Sequence, residues 1–202
     1  GLTADERVSA LAELRGSRPD LEERFNAELK RLARLRAYWN NNSSFAATGG
    51  FPDLYKLFCQ RYELLLREGG VLAVVLPRSA FGVQGSTDFR RWLFERTTAD
   101  RVDFLLNSGR WAFDAEPRYT VALVVARTVR PDGDYAFEAA GVASSAAAFA
   151  AQIDAPGLPL THTALGPLLE VPLLASPEAA DLLSRMRAAG TPFPLGTGRW
   201  KC

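Results

Sequence analysis

Residues 71–76, VLAVVL, limit the fold more than any other stretch of this chain. They are six apolar residues without alternation, preceded by Gly69-Gly70 and closed by Pro77-Arg78-Ser79. A strand with one wet face alternates between apolar and polar residues, whereas an unbroken apolar run is expected of a strand covered on both faces, as in α/β proteins. In open α/β sheets the ligand lies beyond the carboxyl ends of the strands. Pro77, Arg78 and Ser79 therefore stand where a ligand would, although Pro77 also has the simpler role of ending the strand.

Helical and strand patterns surround this run. Residues 3–39 read as two helices broken near Gly16 and Pro19, with Thr3 capping the first and Ser17 or Asp20 the second. Phe25, Leu29, Leu32 and Leu35 keep one face of the second helix apolar, while Lys30, Arg31, Arg34 and Arg36 crowd the rest. Those cations are either solvated surface or a contact to a nucleic-acid backbone. Residues 41–50 have loop composition and are expected to be mobile. A helix starts at Asp53, which is placed to cap it, and is expected to bury Leu54, Leu57, Phe58, Leu64 and Leu65. Cys59 reads as a small buried hydrophobe.

Residues 87–99 form another helical pattern, with Thr87 or Asp88 near its cap and Phe89 and Leu93 on one side. Residues 101–107 and 119–127 are strand patterns joined by a loop too short for a helix, so they should pair antiparallel. The turn at residues 131–134 introduces a short edge strand at 135–141. Residues 143–151 are alanine-rich and carry no readable period. Residues 176–190 mark a helix with Ser176 as cap, Pro177 in the first turn and Gly190 after the end. This order argues an α/β sheet with helices on its faces. It divides into N-terminal helices and loop (1–50), an α/β segment (51–140) and a connector helix region (141–202).

Composition narrows the functional classes. The chain has 202 residues, 48% hydrophobic and 23% charged, with a net charge of +1, so any basic surface must be local. No apolar run reaches the roughly 18–20 residues of a membrane span, and two cysteines with one histidine, His162, make no metal or disulfide pattern. A reducing, bacterial cytoplasm is the expected setting, and arginine far outnumbers lysine, as in GC-rich genes. The sequence opens on Gly1 and its single methionine is Met186, so the chain is expected to be a piece of a longer protein.

Three phrases in order, DLYKLFCQRYELLLREGGVLAVVLPRS, DFRRWLFE and FLLNSGRWAFDAEPRYTVALVVA, together resemble the second half of the catalytic domain of adenine-specific DNA amino-methyltransferases. The flavour is that of large bacterial restriction-modification enzymes, and the resemblance covers residues 53–127. It implies a partial Rossmann-like sheet with a terminal antiparallel hairpin and flanking helices, S-adenosylmethionine as cofactor and double-stranded DNA as partner. It also implies an upstream half of the same domain. The family activates the adenine amine at an Asn- or Asp-Pro-Pro-Tyr motif, using positioning and electrostatics without a metal. This chain contains neither that motif nor a glycine-rich cofactor loop, so it is expected to be inactive alone. The alternative is a non-catalytic DNA-docking or scaffold module derived from the same fold.

The resemblance implies roles residue by residue. Phe58 matches an aromatic that packs on the cofactor adenine, with core packing as its other reading. Asp53 and Tyr55 fall on the cofactor side, and Asp53 is equally placed as a cap. Phe113 matches the aromatic that stacks on the flipped base, with Pro77 and Ser79 beside it. Asn107, Arg110 and Arg118 flank that loop, where they would meet phosphates or a base edge.

Overall fold

A computed structural model describes residues 3–41, 45, 53–174 and 177–189. The chain divides into two compact units, Gly1–Ala46 and Ala47–Cys202. The first is a helical hairpin of α1 (Ala4–Ser17) and α2 (Pro19–Asn41). Thr3 caps α1 as expected, and with Glu6 it makes a reciprocal capping box. Neither Ser17 nor Asp20 caps α2. The Ser17 hydroxyl donates back to the Glu13 carbonyl within α1, and the Asp20 carboxylate accepts both Nε and Nη2 of Arg18. The turn is only Arg18 long, so α2 begins directly on Pro19, whose fixed φ suits a first helical position. Arg15 reaches Glu22 at 3.0 Å to tie the two helices. Neither helix buries a residue.

The second unit is built on five strands: β1 (Val71–Pro77), β2 (Thr98–Leu106), β3 (Thr120–Arg127), β4 (Ala136–Ala143) and β5 (Leu158–Thr161). Their order is β1-β3-β2-β4-β5. β3 pairs antiparallel with both β1 and β2, which makes β1 and β2 parallel to each other, and β4 pairs parallel with β2. The expected β2–β3 hairpin is present. β4 is not the edge strand that its turn suggested, because β5 pairs along its outer side. The alanine-rich stretch resolves into the end of β4 and α6 (Ala146–Asp154), capped by Ser145. Helices α3 (Leu54–Leu65), α4 (Ser79–Gly82) and α5 (Thr87–Arg96) complete the unit with α7 (Pro177–Ala189). Ser176, Gly190 and most of the 41–50 loop lie outside the described residues.

One face of the sheet carries the core. Alternation puts Leu72, Leu76, Ala122, Val124, Ala126, Val102 and Phe104 on that face, all buried, against Phe81, Phe89, Leu93 and Phe94. On the opposite face α6 covers β2 and β4, pinned by Arg101, which donates to Asp103 and Glu138 and to the Gln152 carbonyl at 2.9, 2.9 and 2.7 Å. β1 is the terminal strand of the sheet, and no described element of this unit covers its second face. Val71 and Val75 are therefore 58% and 51% exposed, so the expectation of a strand buried on both faces is corrected. The stripe expected on α3 is corrected too: Leu57 is buried with Lys56, Cys59 and Gln60, whereas Leu54, Phe58, Leu64 and Leu65 are exposed. α3 has apolar residues on more than one side, and only the side that meets the sheet is enclosed.

Candidate functional site

The carboxyl ends of parallel strands β1 and β2 and the amino end of β3 share one rim of the sheet. Pro77 stands opposite Val121 and Leu106 opposite Thr120. The Arg78 and Asn107 amides extend the ladders to the Thr120 and Tyr119 carbonyls, both at 3.1 Å. Beside this rim lies a groove of about 650 Å³ whose lining includes Asp53, Tyr55, Pro77, Ser79, Arg118 and Tyr119. Five of the nine candidate residues, drawn from three separate segments, thus meet in one place. Arg78 lines it as well, is exposed, and makes no ion pair among the described residues.

The floor of the groove is held by side chains that periodicity could not single out. Tyr55 shares a hydrogen bond of 3.2 Å with Ser86 and packs edge-on against Phe89; burial pushes its phenol up, so it stays a neutral donor and acceptor. Lys56, 1% exposed, donates to the Gly85 carbonyl at 2.9 Å and lies 4.0 Å from the Asp53 carboxylate. Burial pulls its ammonium down. Asp53 is the N-terminal flank of α3 by backbone angle, but its carboxylate makes no capping hydrogen bond and stays half exposed. Arg90 is fully enclosed and donates to the carbonyls of Ala80, Val83 and Leu168 and to the Thr87 hydroxyl. Carbonyl dipoles take the place of a buried counter-charge there, and burial lowers its guanidinium. Two buried cations thus fix the chain that turns away after β1. In sequence they look like solvated charges on helix faces, and no local signal separates the two cases.

The loop between β2 and β3 carries the rest. Asn107 is 1% exposed; its Oδ1 accepts the amides of Ala112 and Phe113 at 3.2 and 3.1 Å, and its Nδ2 donates to the Phe113 carbonyl at 2.9 Å. Its side chain shapes the loop from inside. Gly109 and Arg110 follow with φ of 67° and 61°, two consecutive left-handed residues. Trp111 donates to the Leu106 carbonyl at 2.9 Å and anchors the turn. Phe113 emerges 37% exposed, on the rim but outside the groove lining. Arg110 and Arg118 are exposed, each with a local carboxylate, Asp114 at 3.4 Å and Glu116 at 2.8 Å.

Phe58 stands apart from the Asp53–Tyr55 cluster. It is 52% exposed, stacks on Tyr62 at 6.0 Å and lines a second groove of about 590 Å³ along the open edge of β1. Tyr55 lines both grooves. Cys59 is buried as expected, and burial pushes its thiol up to about 12, which removes it as a nucleophile. Among the described residues no three His, Cys, Asp or Glu side chains gather as a metal centre, and no helix is long and apolar enough to cross a membrane. The arrangement has donors, acceptors and aromatic faces that bind and orient a polar ligand, and the groove lining contains no histidine or cysteine.

No family model matches the chain, and no curated protein sequence matches it. Among solved structures it is similar to the M protein of the type I restriction enzyme EcoKI, at 23% identity and a TM-score of 0.35, over 44% of this chain and 20% of that one. It is also similar to the type IIG restriction endonuclease BpuSI, at 15% identity and a TM-score of 0.33, over 68% of this chain and 12% of that one. The chain thus spans a small part of the length of either protein.

Proposed function

We propose that these residues form the C-terminal part of a catalytic domain that methylates DNA. The transfer runs from S-adenosylmethionine to the exocyclic amine of an adenine turned out of the duplex. The observation that carries this reading is the convergence of Asp53, Tyr55, Pro77, Ser79 and Arg118 in one groove at the carboxyl ends of two parallel strands. When bound, S-adenosylmethionine supplies an activated methyl group. The residues present fit it: the half-exposed Asp53 carboxylate offers an acceptor for hydroxyl or ammonium donors, and Phe58 offers an open aromatic face.

The target base is held from the other side. Phe113 supplies a ring to replace its lost stacking neighbours, and Pro77 and Ser79 wall the base side of the groove. Arg118 and Arg110 meet phosphates, each exchanging a weak surface ion pair for one with the backbone. Asn107 keeps the Phe113 loop in shape. The proton-accepting Asn-Pro-Pro-Tyr motif is absent from the 202 residues, so an upstream half of the domain must bring it. The open edge of β1 and its uncovered apolar face are where further strands and a helix layer would add.

The test is a polypeptide that carries these residues together with an Asn-Pro-Pro-Tyr segment. Nucleoside analysis of plasmid DNA from cells expressing it should reveal N6-methyladenine. Duplex binding without any methylation would instead favour a DNA-docking or scaffold module, the reading that the missing motif supports. The 202 residues alone should transfer no methyl group and should bind S-adenosylmethionine more weakly than micromolar in calorimetry; micromolar binding would overturn the cofactor assignments.

A further inference from the structure

We infer that α2 is a homotypic docking helix, which pairs antiparallel with α2 of a second copy of this chain. Its apolar side faces outward: Phe25, Leu29 and Leu32, spaced at four and three residues, are 63%, 48% and 38% exposed, whereas Leu21 and Leu35 are half buried. That spacing is the seam of a helix pair, and it runs along a helix about 34 Å long at 1.5 Å per residue. An unpartnered apolar seam alone does not name its occupant. The charge order does.

Residues 19–29 hold four carboxylates, Asp20, Glu22, Glu23 and Glu28, against the single cation Arg24. Residues 30–41 hold four cations, Lys30, Arg31, Arg34 and Arg36, and no carboxylate. Within the chain, Asp20 pairs with Arg18, Glu22 with Arg15 and Glu28 with Arg31. Glu23, Lys30, Arg34 and Arg36 make no ion pair among the described residues. A helix polarised this way is repelled by a parallel copy of itself and attracted by an antiparallel one, because the acidic end of each meets the basic end of the other. The two-fold relation also makes each contact occur twice, as in any isologous dimer. A nucleic-acid backbone would match only the basic half and would be repelled by the acidic one. α1 leaves Val8, Leu11 and Leu14 exposed as well, so two hairpins together have the apolar surface of a four-helix bundle.

The experiment is sedimentation of the full 202-residue chain across the micromolar range at low salt, with helix content followed by circular dichroism. The wild type should show a reversible monomer–dimer equilibrium that added salt weakens. The basic-end reversal Arg34→Glu with Arg36→Glu, and the acidic-end reversal Glu22→Lys with Glu23→Lys, should each raise the dissociation constant at least tenfold, about 1.4 kcal/mol. Mixing the two double variants should give a dimer, because the unaltered acidic end of one meets the unaltered basic end of the other. Phe25→Asp should leave a helical monomer. A wild type that stays monomeric throughout would overturn the inference. So would a dimer indifferent to the reversals, which would place the contact elsewhere, or a mixture of the two double variants that fails to dimerise while both remain helical. Duplex DNA binding lost with the basic end, in a protein that is monomeric throughout, would assign the helix to nucleic acid instead.

Discussion

At the scale of single residues, the loop after β2 concentrates both strain and proposed function. Arg110 holds a left-handed φ of 61° next to Gly109, a conformation that a side chain disfavours by about 1–2 kcal/mol. Arg110→Gly should therefore raise the melting temperature of the chain while weakening duplex binding, measured by calorimetry and by anisotropy. A variant that gains stability with unchanged binding would remove Arg110 from the interface. Phe113→Ala, in a polypeptide that methylates DNA, should slow methylation by about one to two orders of magnitude, because base–aromatic stacking recovers roughly 1–3 kcal/mol. Phe113→Trp should retain most of the rate. Loss of the fold on Phe113→Ala would mark it as packing only. Alkaline stability follows from Cys59 and Tyr135, whose ordinary values of 9.0 and 10.0 are both raised to about 12 by burial. The fold keeps protons that the unfolded chain releases, so stability is full below about pH 9 and falls as pH rises to about 12, by up to about 1.4 kcal/mol per unit for each group. Lys56 acts oppositely, because the fold holds its proton more weakly than the unfolded chain does. Cys59→Ala should move the onset of the alkaline loss from about pH 9 to about pH 10 in urea titrations.

At the scale of elements, what could be read from sequence was what neighbours in sequence decide. The β2–β3 hairpin was legible because its short loop leaves antiparallel pairing as the simple option, and α5 because Phe89 and Leu93 share its buried side. The start of α1 was legible because the Thr3 cap is a local contact. α3 was misread because apolar residues lie on more than one side of it, and which side is enclosed depends on a strand beyond its own end. β4 was legible as a strand but not as an interior one, because β2, more than thirty positions earlier in register, and β5 place it; α6 was not legible, since alanine carries little periodic contrast. Of the site, the convergence of Asp53 and Tyr55 with Pro77 and Ser79 was readable only through a resemblance. The buried cations Lys56 and Arg90 were invisible, because charge on a helix is solvated by default. β1 offers a check at this scale. Its exposed valines and unpaired side form an apolar strip, and such edges invite association and dye binding. Ala73→Lys with Val75→Lys should reduce the fluorescence of an apolar dye and suppress aggregation while leaving the melt cooperative. No dye binding by the wild type would mean that the edge is covered after all.

At the scale of the whole molecule, β3 decides when the sheet can exist. β1 and β2 are parallel and never touch; each meets the other only through β3, which is inserted between them although it comes later in the chain. A polypeptide stopped before Thr120 should show helices but no β1–β2 pairing, in hydrogen exchange as in circular dichroism, and one extended past Arg127 should show protected amides in all three strands. Non-local pairing of this kind is slow to close. Time enters during synthesis. Fifty residues separate Pro77 from Arg127, so at ordinary translation speeds β1 waits roughly 3–10 s on the ribosome with its valines unpaired. For that interval the strand is a client for whatever holds nascent apolar segments, and codons that slow the passage between β1 and β3 should lengthen its exposure and lower the yield of soluble protein.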